Sequence, residues 1–141
     1  MAFASCNGRK VYDRFEHTPL WGWERNDTVT FRVPAVEEDG TYSLFLNMRT
    51  DNSFPFTNIT MIVNRYVSPS GLHSADTLKC QLANHRGQSL GKGINLYQYS
   101  FRISSEQLAK GDSLSVMVNH NMMREILPGV SDIGLTIEKQ R

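Results

Sequence analysis

The chain has 141 residues, 40% of them hydrophobic and 21% charged, with a formal net charge of +1. That length suits one domain and is enough for a core without disulfides or metals. The near-neutral balance leaves no basic footprint for nucleic acid, and no apolar run approaches the ~20 residues of a membrane helix.

The chain opens Met-Ala-Phe-Ala-Ser-Cys. Phe3-Ala4-Ser5-Cys6 resembles the lipobox of bacterial lipoproteins: an apolar residue, two small ones, then the cysteine that takes the lipid. The small residues let the chain thread into the signal peptidase, and the Cys6 thiol is the acylated group. The charged region and most of the apolar region of a signal are missing, so the expected start lies upstream or has been trimmed. Residues 1–10 are read as signal end, lipidation site and polar tether, and residues 11–141 as one β-sandwich domain. The bland alternative for Cys6 is a chance cysteine in a frayed terminus.

Val11 to Phe15 reads as an irregular first strand. Pro19 and Gly22 break the pattern, because Pro cannot donate to a ladder and Gly loosens the backbone. Asn26-Asp27 makes a turn. Val29, Phe31 and Val33 then alternate with Thr28, Thr30 and Arg32, the mark of a half-buried strand. Glu37-Glu38-Asp39-Gly40 is an acidic turn. Tyr42 to Tyr66 reads as a hairpin around Thr50–Phe56: Tyr42, Leu44, Leu46 and Met48 face one way, and Ile59, Met61 and Val63 do the same beyond the loop. Ser68-Pro69-Ser70-Gly71 is a turn cluster.

Leu78, Cys80 and Leu82 form the next inward set, which makes Cys80 a small buried hydrophobe. Asn84 to Gly93 is a glycine-rich loop. Tyr97, Tyr99, Phe101 and Ile103 make the strongest aromatic strand. Ser104-Ser105-Glu106-Gln107 matches a capping box and predicts a helical turn over Glu106–Lys110. Leu114, Val116 and Val118 run inward on the next strand. Asn121–Leu127 predicts a second helical turn, ended by Pro128-Gly129, and Ile133, Leu135 and Ile137 close the chain as a strand. About eight short strands with turns between them predict an all-β, two-sheet antiparallel sandwich of jelly-roll type.

No catalytic, cofactor or metal motif emerges. Gly87 to Gly93 imitates a phosphate loop but has one residue too few between its glycines, and an aromatic strand follows where a helix is needed. His17, His73, His85 and His120 are scattered and make no zinc spacing. Trp21 and Trp23, two apart on an extended segment, point to one side; exposed, they form a stacking platform for a sugar, and buried, they cap the sandwich. Phe54-Pro55-Phe56, flanked by Arg49 and Asn58, forms a candidate partner surface, and Arg124-Glu125 raises the same prospect on a second loop. Asp27-Thr28-Val29, Asp76-Thr77-Leu78 and Asp112-Ser113-Leu114 share an Asp–hydroxyl–apolar pattern. It resembles an O-glycosylation signal of Bacteroidetes envelope proteins, and turn chemistry explains it equally well.

With these residues in place, the chain is similar to the gliding-motility lipoprotein GldH family of Bacteroidetes. The resemblance spans nearly the whole chain. It is carried by Cys6 followed by Val11-Tyr12-Asp13, by Trp21 and Trp23 before Asp27–Phe31, by Leu44–Arg49, by Phe54–Ile59, by Asp76–Leu78, by Gly87–Gly93, and by Met123-Arg124-Glu125 with Leu127–Gly134. The family's aromatic motif is often Tyr-Pro-Tyr; Phe-Pro-Phe here loses two hydroxyls and leans toward packing. The resemblance implies an envelope lipoprotein, anchored through lipid on Cys6 and facing the periplasm or the cell surface. It implies a non-catalytic assembly role among envelope proteins of a motility machinery that overlaps with type IX secretion. The alternative is a carbohydrate-binding module built on Trp21 and Trp23.

Overall fold

β-Branched and aromatic residues at alternate positions commit most of this chain to pleated, half-buried strands. The computed structural model describes residues 8–141. Ten strands follow in order: β1 (Gly8–His17), β2 (Trp23–Glu24), β3 (Val29–Val33), β4 (Gly40–Asp51), β5 (Asn58–Ser68), β6 (His73–Gln81), β7 (Leu96–Leu108), β8 (Ser113–His120), β9 (Ile126–Leu127) and β10 (Val130–Gln140). A four-stranded sheet runs β1-β10-β4-β7, a second runs β3-β8-β5-β6, and β2 pairs with β9 in a short ribbon. Every pairing is antiparallel. The predicted sandwich is therefore present, with eight long strands and the chain passing repeatedly from one sheet to the other.

The predicted Tyr42–Tyr66 hairpin is a crossover instead. β4 pairs with β10 along one edge and with β7 along the other, so no edge remains for β5. β5 is likewise flanked by β6 and β8. The hairpin in this region is β5–β6, turned at Pro69–Leu72. Centrality also buries the second face of β4. Asn47 is buried there and donates from Nδ2 to Thr136 Oγ1 at 2.7 Å, and Thr136 donates onward to Asp13 Oδ1 at 2.9 Å.

Neither predicted helical turn forms, and no helix occurs among the described residues. The Ser104–Gln107 segment stays in β7, with Ser105 opposite Ser43 and Glu106 opposite Tyr42. Ser104 Oγ spends its hydrogen on Glu106 Oε2 at 2.9 Å instead of capping a backbone amide. Ladder pairing with a long central strand overrides a local capping preference. In the 121–127 segment, Asn121 N–H donates to Thr60 O and Arg25 N–H to Glu125 O, both at 2.8 Å, so the backbone is claimed by neighbouring strands. At the other end of the chain, the expected tether residues Gly8, Arg9 and Lys10 already pair with Gln140, Lys139 and Glu138.

The inner faces meet through Phe31, Leu44, Leu46, Met48, Ile59, Met61, Val63, Val116, Val118, Ile133, Leu135 and Ile137, none more than 1% exposed. Each such side chain contributes roughly 1.5–3 kcal/mol of burial. Arg65 shares their parity on β5 and is buried with them, which its charge forbids without partners. It finds Asp76 of β6 at 2.7 Å and Glu106 of β7 at 3.0 Å, so this triad joins the two sheets along one flank.

Register fixes two unlike ends. Gly8 of β1, Gln140 of β10 and the turns 34–39, 69–72 and 109–112 share the near end. The segments 18–28, 52–57, 82–95 and 121–129 share the far end, or tip. β1 links the two, and ten residues at ~3.3 Å each span about 30 Å.

Candidate functional site

The tip is closed by a buried plug. Trp23 is fully buried, and its indole N–H donates to Asp27 O at 2.8 Å. Its ring meets His120 edge-on, with centroids 5.2 Å apart. His120 Nδ1 accepts from Met122 N–H at 3.3 Å, which leaves the proton on Nε2, 2.9 Å from Trp23 O. Burial holds this imidazole below its ordinary pKa. A neutral, doubly bonded ring is a structural part rather than a base.

Trp21 goes the other way and is 75% exposed. The two-residue alternation fails because Pro19–Gly22 is a turn, with Gly22 N–H donating to Pro19 O at 3.0 Å. Gly22 adopts φ +129°, and a Cβ there would lie 2.5 Å from Ile126 Cγ2. One tryptophan enters the core and the other leaves it, so they cannot form the side-by-side sugar platform read from their spacing.

The Phe-Pro-Phe loop and the segment around Pro128 are one surface. Asp51 Oδ1 accepts from the Ser53 amide at 2.8 Å and fixes the loop's first turn. Asp51 N–H donates to Gly129 O at 2.8 Å. Gly129, at φ +87°, lies so close that a Cβ would come within 2.3 Å of Phe54 N. Phe54 packs on the core and meets the Phe56 ring edge-on at 5.9 Å, while Pro55 and Phe56 are exposed. Asn58, Arg124 and Glu125 are exposed at the same end. Leu20, nearly fully exposed Met123, Leu90 and Ile94 add apolar side chains to it.

Arg49 does not join them. It points from the outer face of the β1-β10-β4-β7 sheet, 3.9 Å over the Phe15 ring, and Nε donates to Gln98 Oε1 at 3.3 Å. Beside it lies a pair that no spacing in the sequence couples. Buried Asp132 Oδ1 makes no well-formed hydrogen bond, and exposed His17 Nδ1 approaches it at 2.5 Å. Among the described residues no three His, Cys, Asp or Glu side chains gather as metal ligands do. Cys80 is buried, and desolvation pushes its thiol up to about 11, so it is an inert core residue. Cys6 lies outside the described residues.

A family model described as GldH lipoprotein matches residues 10–137. A relative named gliding motility lipoprotein GldH, from Flavobacterium johnsoniae, is 29% identical over 143 residues, covering 96% of this chain and 89% of the relative. A homologue from Christiangramia forsetii is 26% identical, covering 97% and 88%. Among solved structures, one from Sulfurospirillum deleyianum superposes with a TM-score of 0.47 at 12% identity, covering 92% of this chain and 98% of that one. A family 35 carbohydrate-binding module in complex with a glucuronic acid-containing disaccharide gives 0.44 at 15%, covering 90% and 78%.

Proposed function

Since the chain belongs to the GldH lipoprotein family, we propose that it is a lipid-anchored envelope protein of the gliding machinery. It acts as a non-catalytic assembly module, linked through that machinery to type IX secretion. Cys6 carries the acyl chains, two or more of which hold a protein stably on a bilayer. The tip, around Phe54, Pro55, Phe56, Asn58, Arg124 and Glu125, receives an envelope protein partner.

One observation carries this reading. Gly8, the first described residue of β1, follows Cys6 by two residues in the sequence and sits at the end opposite the tip. An anchor at Cys6 leaves the tip about 30 Å from the bilayer, free to reach a partner. Among the described residues, eight of the eleven exposed large apolar side chains lie at that tip: Leu20, Trp21, Phe56, Leu90, Ile94, Leu96, Met123 and Ile126. An exposed apolar cluster of this kind marks a contact surface.

The test is crosslinking and pull-down from the native envelope. Wild type fractionates with membranes and captures partners. Cys6→Ser moves to the soluble fraction, and Phe56→Ala stays anchored but captures less. Native protein carrying an unmodified Cys6 inside an intact longer chain would sink the anchor, and undiminished capture by tip variants would sink the tip.

A further inference from the structure

We infer that the open edge of β7 is a second docking site, which takes an extended acidic segment of a protein partner as an added strand. The site rests on the assembly reading and adjoins the tip along the flank, but its outward backbone groups and its cations Arg49 and Lys92 are separate from the Phe-Pro-Phe loop.

Among the described strands β7 stands at the sheet's edge, with β4 as its one neighbour. The chain itself uses the first place on that edge. Lys92 and Gln98 form an isolated antiparallel bridge, with Lys92 N–H to Gln98 O at 3.0 Å and Gln98 N–H to Lys92 O at 2.9 Å. A residue's N–H and C=O point to the same side of its strand, and the side alternates. Ser100 and Arg102 therefore turn their backbone groups outward as Gln98 does, and neither has a backbone partner there among the described residues. The loop has begun a ladder and left its continuation open.

A groove of about 780 Å³ lies along this stretch. Its two sides differ in chemistry. Arg49, Gln98 and Lys92 share a row on the outer face, by the register of β4, β7 and the bridge. Phe101, stacked on Tyr99 at 6.1 Å, lines the other side, and exposed Leu90 adds an apolar group to the lining. None of the residues lining the groove is acidic, and neither Arg49 nor Lys92 has a carboxylate partner among the described residues. A strand laid here would alternate as strands do, carboxylates toward Arg49 and Lys92 and apolar side chains toward Phe101. Lower on the same flank the Arg65 triad holds the sheets together, so the groove is confined to the upper half.

The test is fluorescence anisotropy with a labelled ten-residue peptide alternating Glu and Val, titrated with the full chain. Binding is expected, and an alternating Lys and Val peptide should not bind. Arg49→Gln and Lys92→Gln should each weaken binding up to about fivefold, as loss of one partly exposed ion pair does. Ser100→Pro removes one outward N–H at an edge that tolerates proline, and should abolish binding with the melting curve unchanged. A peptide N-methylated at alternate residues should fail in the same way. Binding indifferent to N-methylation and to Ser100→Pro would overturn strand addition. So would an oligomer of galacturonic acid that binds the groove where the peptide does not. Envelope capture by the tip with no peptide binding would overturn this inference alone; peptide binding with no tip capture would sink the tip and leave the flank standing.

Discussion

The two ends of this sandwich are built from the same strands and finished differently. The near end is closed by short turns with their own polar locks, such as Asp112 Oδ2 accepting the Ala109 amide at 2.9 Å and Asp39 Oδ1 accepting that of Lys110 at 2.7 Å. The tip is closed by a tryptophan plug, and around that plug it leaves Leu20, Trp21 and Met123 in solvent. An end that only had to cover the core would not need both. The difference separates two duties: Trp23 belongs to stability, and Trp21, two residues away, is left exposed for the contact proposed at the tip.

The largest way to break that contrast is Trp23→Ala. Emptying the plug should cost about 3–5 kcal/mol, seen as a lower midpoint in urea unfolding. A loss below about 1 kcal/mol would mean that the plug is not part of the core. Next comes Gly129→Ala. A left-handed backbone and a Cβ 2.3 Å from Phe54 N should cost about 1–3 kcal/mol and displace the Phe-Pro-Phe loop, so capture falls together with stability. The third prediction concerns pH. The folded pKa of His120 lies below 6.5, so the unfolded chain binds the extra proton first. The stability held by its neutral form is complete above 6.5 and is lost as pH falls toward the folded value. Urea midpoints at pH 7.5 and 5 should differ, and His120→Gln should shrink the difference. The smallest effect on stability is that of Trp21→Ala, within about 0.5 kcal/mol of wild type, with reduced partner capture as its readout.

Much of the fold was legible because alternation states which face a residue takes. Leu44, Ile59, Val116 and Leu135 all went inward as their parity required, and Arg65 could have been found the same way, as a cation on an inward position. Pairing was not legible. Nothing local in Leu44–Arg49 says that β4 will be claimed on both edges, so a crossover of six residues passed for a hairpin loop. The capping box at Ser104 was a true local signal that lost to a long ladder. At the tip, spacing put Trp21 and Trp23 on one side, and a single turn at Gly22 reversed one of them. Arg49, close to Phe54 in sequence, stands on a different face because β4 continues to alternate up to the loop. The meeting of Gly129 with Phe54, 75 residues apart, is a product of topology alone.

The first strand has a mechanical consequence. β1 lies antiparallel to β10 along its whole length, and the chain enters it at the near end. A pull on the segment before Gly8, resisted by a load held at the tip, runs parallel to that strand. Its backbone bonds to β10 are then sheared together, where a pull from the side would peel them one after another. A domain meant to be tugged between a bilayer and a moving partner would gain from being threaded in this direction.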